Sequence, residues 1–287
     1  MNIQWYPGHM TKTRRMMEAD IKLVDAVAEI TDARCPEAGR NPILNELIQN
    51  KPRIIILNKC DYANEKATSE WKAFYEKNGA AVLVCDCRSG KGVNQFVPLL
   101  KKKLSDILEK RSAKGMQGLA LRVMVAGIPN VGKSSFINRM ANSRKTKVGD
   151  KPGITRGKQW VTIDKQVELL DTPGILWHKF DDENAAKMLA FTGAVKDEVM
   201  DITTLAAELA LFLKEKNPES LKERYSINVG ADSISAREEY NILENIARNR
   251  KMLASGNTLD LERAANTLLD EFRAGKLGRI TLETPRS

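Results

Sequence analysis

The sequence predicts an α/β domain, a mostly parallel sheet with helices on both faces, followed by an all-α region. Three observations carry this expectation. Short apolar runs rich in β-branched residues alternate with helix-length stretches through the first part of the chain. A glycine-rich loop, GIPNVGKS (127–134), stands between one of these runs and a helical stretch, as phosphate-binding loops do. Beyond the polar segment LWHKFDDEN (176–184), apolar positions recur at three and four and no strand-like run remains.

Taken in order, the first helix-like stretch covers 11–23. The runs AVAEIT (26–31), RIIIL (53–57), AAVLV (80–84) and LRVMVAG (121–127) read as strands buried on both faces. Helical stretches at 66–78, 93–111 and 134–142 separate or follow them, giving βαβ units. WVTID and QVELLD flank Lys165 and read as a hairpin at one edge of the sheet. Helices are then expected over 201–216, 235–253 and 258–275, the last capped by Thr258 and stopped by Gly275. The domains are expected at 1–178 and 201–287, with 179–200 as connector.

In a chain of 287 residues there is room for both domains to bury a core. No apolar run approaches the length of a membrane span, and MNIQWYPGHMTKTRR does not resemble a signal peptide, so a cytoplasmic protein with no membrane partner is expected. Cys35, Cys60, Cys85 and Cys87 lack CxxC spacing and read as reduced thiols. Residues 1–180 carry 31 Lys+Arg against 18 Asp+Glu, whereas residues 181–287 carry 15 against 19. The basic half suits a polyanionic partner such as RNA, or equally an ordinary solvated surface.

Gly127, Gly132, Lys133 and Ser134 match GxxxxGK[ST] in strand–loop–helix context. Glycines allow the backbone to wrap closely, so the amides of Asn130, Val131, Gly132, Lys133, Ser134 and Ser135 can face phosphate oxygens at the positive end of the helix. The Lys133 ammonium lies between β- and γ-phosphates, and the Ser134 hydroxyl can ligate Mg²⁺. DTPG (171–174) ends a strand: Asp171 suits a Walker-B role toward Mg²⁺, and the Gly174 amide suits the γ-phosphate. In PGITRG (152–157), Thr155 offers a hydroxyl and a carbonyl that can close over Mg²⁺. NKCD (58–61) follows a strand, and Asp61 can accept from guanine N1–H and the N2 amine, a donor pair adenine lacks. Asn58 is expected to bond the base and brace the loop, the Lys59 stem to lie along the ring, and the backbone N–H of Cys87 in DCR (86–88) to meet guanine O6.

The order is the puzzle. Base loop, DCR loop, phosphate loop, switch loop and DTPG form the usual GTPase series rotated, with the old ends joined through SAKGMQG (112–118). Domain ends that lie close at a surface make such a rotation structurally cheap. The fold expected is therefore a circularly permuted P-loop GTPase domain. With WYPGHM, DARCPEAGRNP (32–42), NKCD, GIPNVGKSS, PGITRG, DTPG and DLERAANTLLDEFRAGKLGRITLE (260–283), the chain closely resembles the circularly permuted GTPases of the large-subunit ribosome-assembly group. The resemblance implies GTP binding and hydrolysis to GDP, with the large ribosomal subunit and its rRNA as partners in a late assembly step. A monomer away from the ribosome is expected. A GTP-gated RNA-binding scaffold, with hydrolysis incidental, is the competing class.

Many GTPases place a water-orienting glutamine after DxxG. Here Ile175 and Leu176 follow Gly174 and cannot hydrogen-bond. Because the chain is opened after DTPG, helix 11–23 takes the place of the post-switch helix, and His9 at its start becomes the candidate to position water; His178 is the weaker one. Asn130 is a candidate ligand for K⁺, whose charge would stabilise the developing phosphate charge.

Overall fold

The structure, a computed structural model, describes residues 7–48, 51–142, 159–174, 182–195, 197, 201–227 and 238–285. Its residues group into two compact units: Met1–Asp182 with Thr281–Ser287, and Glu183–Ile280.

The first unit runs α1 (Pro7–Ile21), β1 (Ala26–Asp32), α2 (Pro42–Ile48), β2 (Arg53–Asn58), α3 (Glu65–Lys77), β3 (Ala81–Val84), α4 (Phe96–Lys103), α5 (Ser105–Ala113), β4 (Leu121–Ala126), α6 (Lys133–Asn142), β5 (Gln159–Asp164) and β6 (Val167–Asp171). The six strands form one sheet in the order β3-β2-β1-β4-β6-β5. All neighbours are parallel except the β5–β6 hairpin, which forms one edge.

Parallel strands buried on both faces need apolar side chains at successive positions, and β2 supplies Ile54, Ile55, Ile56 and Leu57, each 1% exposed or less. Partners across a ladder share a face, so Val27, Met124 and Leu170 lie together and pack under Met17 and Ile21 of α1 and Leu44 of α2. Ile55, Leu57 and Val82 continue that face under Trp71 and Tyr75 of α3. The alternate residues, such as Ile54 and Ile56, face the other way, on the side where Phe96 of α4 meets Phe136 of α6 edge to face with centroids 5.0 Å apart.

The parallel register also decides where loops emerge. Asp32 pairs with Asn58 and Val125 with Asp171, so the loops after β1, β2, β4 and β6 all leave at one carboxyl edge. In a sheet of this kind that edge is where ligands bind.

The second unit is helical among the described residues: α7 (Glu183–Phe191), α8 (Ile202–Lys216), α9 (Pro218–Tyr225), α10 (Glu238–Asn249) and α11 (Leu261–Arg273). Leu205, Leu209 and Leu213 bury one stripe of α8; Ala264, Ala265, Leu268, Leu269 and Phe272 bury one stripe of α11. Asp201 and Asp260 cap these helices by accepting from Thr204 N and Arg263 N. Asp260 thus holds the cap expected at Thr258, because its side chain stands three residues before the first orphan amide it can reach. Glu271, 7% exposed, accepts from Tyr225 and pairs with Arg224, which neutralises its buried charge.

Three short helices depart from the sequence expectation. α2 and α9 begin at prolines, and α7 lies within the stretch expected as connector. The single helix expected over 93–111 is divided at Leu104, whose backbone sits at φ −107°, ψ 21°. No helix among the described residues is long and apolar enough to cross a membrane.

Candidate nucleotide site

The glycine-rich loop leaves β4 and returns its chain into α6, with Lys133 as the first helical residue. Gly132 holds φ +101°, and a Cβ there would stand 2.3 Å from Asn58 Nδ2, so both backbone and space require glycine. Asn130 also sits at positive φ, 61°. The loop's amides therefore follow a tight wrap of the kind that cradles phosphate.

Lys133 is only 8% exposed, and its Nζ donates to the Ile128 carbonyl at 2.7 Å. Burial pulls its pKa down to about 8, with the Asp171 carboxylate opposing. A bound phosphate adds negative charge beside the ammonium and must raise that value again. The linkage has a definite sign. Below pH ~8 the lysine is charged before and after binding; above it, binding must take up a proton. At pH 8.0, GDP binding is expected to take up about half a proton per site, falling toward none at pH 6.5. Calorimetry in buffers of different ionisation enthalpy measures this directly.

Asp171 closes β6 and is 7% exposed, and Thr172 Oγ1 donates to the Val125 carbonyl at 2.7 Å, which pins DTPG to the root of the phosphate loop. A Cβ on Gly174 would come within 2.7 Å of Lys133 Nζ and 3.1 Å of the Pro129 backbone. The switch-side loop and the phosphate loop thus meet at the lysine.

The base loop arrives from the other side. Asn58, 3% exposed, donates from Nδ2 to the Val131 carbonyl at 2.7 Å and accepts from Cys87 N at 2.9 Å. One amide side chain thereby joins NKCD, the phosphate loop and the DCR loop, although 73 residues separate Asn58 from Val131. The Cys87 N–H, the group expected to meet guanine O6, here donates to Asn58 and so ties the DCR loop to NKCD. Asp61 Oδ2 lies 3.5 Å from Arg88, whose side chain is 76% exposed; so solvated an ion pair yields readily to a base.

The groups that hold Lys59 and the DCR loop are ones the sequence does not mark. Lys59 adopts φ 60°, and its Nζ is held 2.9 Å from Asp32 Oδ2. Burial alone would raise the Asp32 carboxyl, but the Arg34 guanidinium and Lys59 ammonium, with hydrogen bonds from Arg34, outweigh it and hold it well below the usual range. Arg139 of α6 donates to the carbonyls of Cys87 and Arg88, tying the DCR loop to the phosphate helix. The clue lay in DAR beginning as a strand ends, and in an arginine two turns into α6.

His9 lies in the first turn of α1, with its side chain outside the described part. Thr155 and His178 lie outside the described residues. Ser134 and Ser135 are exposed at the start of α6. No group of three His, Cys, Asp or Glu side chains among the described residues is arranged to hold a metal ion. One hydroxyl and one buried carboxylate are hard oxygen donors, which suit a Mg²⁺ held mainly by phosphates and water.

Residues 122–237 match the family model described as 50S ribosome-binding GTPase. The match begins at the phosphate-loop strand and leaves out NKCD, as a rotated chain requires. Ribosome biogenesis GTPase A of Bacillus pumilus is 42% identical over 288 residues, covering 100% of both chains. The chain belongs to the ribosome biogenesis GTPase A family. A crystal structure of GNP-bound YlqF from T. maritima superposes with a TM-score of 0.65 at 29% identity, over 96% of this chain and 99% of that one. A GDP-bound structure of the T. maritima protein gives 0.64 at 29% identity, over 94% and 99%. As a member of this family the chain is a GTP hydrolase, and Mg²⁺ is the cation such GTPases use.

Proposed function

We propose that this GTPase binds the large ribosomal subunit precursor and its rRNA, and that GTP hydrolysis there drives a late assembly step and its own release. The observation that carries the nucleotide part is the Asn58 side chain, which bonds the phosphate loop and the DCR loop at once. A purine held at Asp61 and a triphosphate held at Lys133 then belong to one ligand. The subunit part is supported by kinship with proteins named for ribosome biogenesis and by the basic balance of residues 1–180.

Each group then has a task. Asp61 accepts from the guanine edge, Lys59 lies along the ring, and Asn58 and Cys87 brace the loop. Backbone amides from Asn130 to Ser135, with Gly174, hold the phosphates, and Lys133 offsets charge developing on them. Ser134, Asp171 and Thr155 would hold Mg²⁺, which supplies charge neutralisation, and Asn130 would ligate K⁺. His9 orients water: α1 is 15 residues, about 22 Å, and joins β1 through a short turn, so its start runs back toward the carboxyl edge. Residues 1–178 act as the GTPase domain, and the switch leads covalently, through 179–200, into helices α8 to α11, which contact the ribosome. Loss of the γ-phosphate releases Thr155 and Gly174 and so changes that contact. The protein acts in the cytoplasm, where bacterial subunits are assembled, as a monomer away from the ribosome.

GTP turnover measured with and without large subunits, in KCl and in NaCl, tests this. Subunits are expected to raise turnover at least about tenfold, with K⁺ exceeding Na⁺. Equal rates with and without subunits overturn the proposal.

A further inference from the structure

The segment that follows the helical unit returns to the base loop. Leu282 N donates to the Arg34 carbonyl at 2.7 Å, while Glu283 Oε1 accepts from Glu37 N at 2.5 Å and Ala38 N at 3.0 Å. On the far side, Asn64 N donates to Thr281 Oγ1 at 3.0 Å, and Trp71 Nε1 to the Glu283 carbonyl at 3.1 Å. Leu282 is 6% exposed. Three consecutive residues thus lace the loop after β1 to the start of α3, over sequence separations of 212 to 248 residues.

Those two anchor points flank NKCD. Arg34 bonds Asp32 through its Nε at 3.0 Å and its Nη2 at 2.8 Å, and Asp32 in turn holds Lys59. Lys59 needs that hold, because a non-glycine residue at φ 60° is strained unless its surroundings fix it. Asn64 stands three residues beyond Asp61 and caps α3 by accepting from Ala67 N. Nothing in GTP binding itself requires a tail here, yet the tail spends its polar groups on the two ends of this loop.

We infer that residues 281–283 are a positioning element for guanine recognition: they act through Arg34, Asp32 and Asn64 to hold the Lys59–Asp61 loop in its base-reading shape. This rests on the reading of NKCD as the guanine loop.

The test uses the full chain, the chain ended after Ile280, and Glu283→Ala, with GDP dissociation and the GDP-to-IDP affinity ratio as readouts. IDP lacks the N2 amine, so the ratio reports on Asp61 alone. Ending the chain at Ile280 is expected to speed GDP release about tenfold, Glu283→Ala about threefold to fivefold, and both to lower the ratio. A purely structural tail would lower the melting temperature and leave the ratio untouched, and that result overturns the inference. If the shortened chain does not fold, an unchanged ratio in Glu283→Ala overturns it equally. Asp61→Asn in the full chain serves as control. If that variant does not lose preference for guanine, the base-loop reading fails; if it does while the tail variants keep the wild-type ratio, only the tail inference fails.

Discussion

Asp61→Asn is expected to turn a guanine-nucleotide protein into one that prefers xanthine nucleotides. Guanine presents two donors, N1–H and the N2 amine, and a carboxylate accepts both. Asparagine offers one acceptor and one donor, so it meets N1–H but sets its own N–H₂ against the N2 amine. A hydrogen bond to a charged group contributes about 1.5–3 kcal/mol, and the replaced pair also leaves buried donors facing each other. GDP affinity is therefore expected to fall at least about a hundredfold. Xanthine carries a carbonyl where guanine has the amine, which restores both bonds, so XDP should bind the variant more tightly than GDP does. The phosphate half is untouched, because Asn58 still bonds Val131 and Lys133 still meets Gly174. Competition of GDP and XDP for the variant measures the exchange. A variant that still prefers GDP means that Asp61 does not read the base, and the joining of NKCD to the phosphate loop would then be structural only.

How far the sequence foretells this site depends on the distance over which each contact is made. The strands were legible because β1, β2, β3 and β4 are short, largely apolar runs with β-branched residues, as a sheet buried on both faces requires. The phosphate loop was legible because its chemistry is contiguous: Gly127 to Ser134 make the wrap from their own backbone. NKCD was legible as a device, but its place beside the phosphate loop followed only from recognising a rotated order. What stayed hidden is pairwise and remote. Arg139 and Arg88 lie 51 residues apart, and Glu283 and Glu37 lie 246 apart, so no local pattern marks them. Asp32 and Arg34 look like a turn, and their hold on Lys59 emerges only when β1 and β2 pair in register. α7 falls in the stretch expected as connector because the polar run before it masks the amphipathic ENAAKMLAF. Leu104 divides α4 from α5 without a proline or glycine to announce it.

The second large effect concerns the water. Gly174 is followed by Ile175 and Leu176, so a side chain from elsewhere must orient the nucleophile if turnover is to be fast. The rotation leaves one element suitably connected. α1 is anchored by Met17 and Ile21 in the core beneath it, and its opening turn, which holds His9, is the part farthest from that anchor. A helix anchored at one end can bring a residue at its other end to the phosphate edge when a partner completes the site. His9→Ala is accordingly expected to leave affinity for a non-hydrolysable GTP analogue unchanged and to lower subunit-stimulated kcat about a hundredfold, without raising KM. That split separates a water-orienting group from one that merely steadies the helix, since loss of α1 packing would weaken binding and lower the melting temperature together. Unaltered stimulated turnover in His9→Ala removes the histidine from the mechanism. The water would then have to be oriented by backbone groups of the switch or by the ribosomal subunit itself, and stimulation would have to come from the partner supplying a group rather than from its placing one that the GTPase already carries.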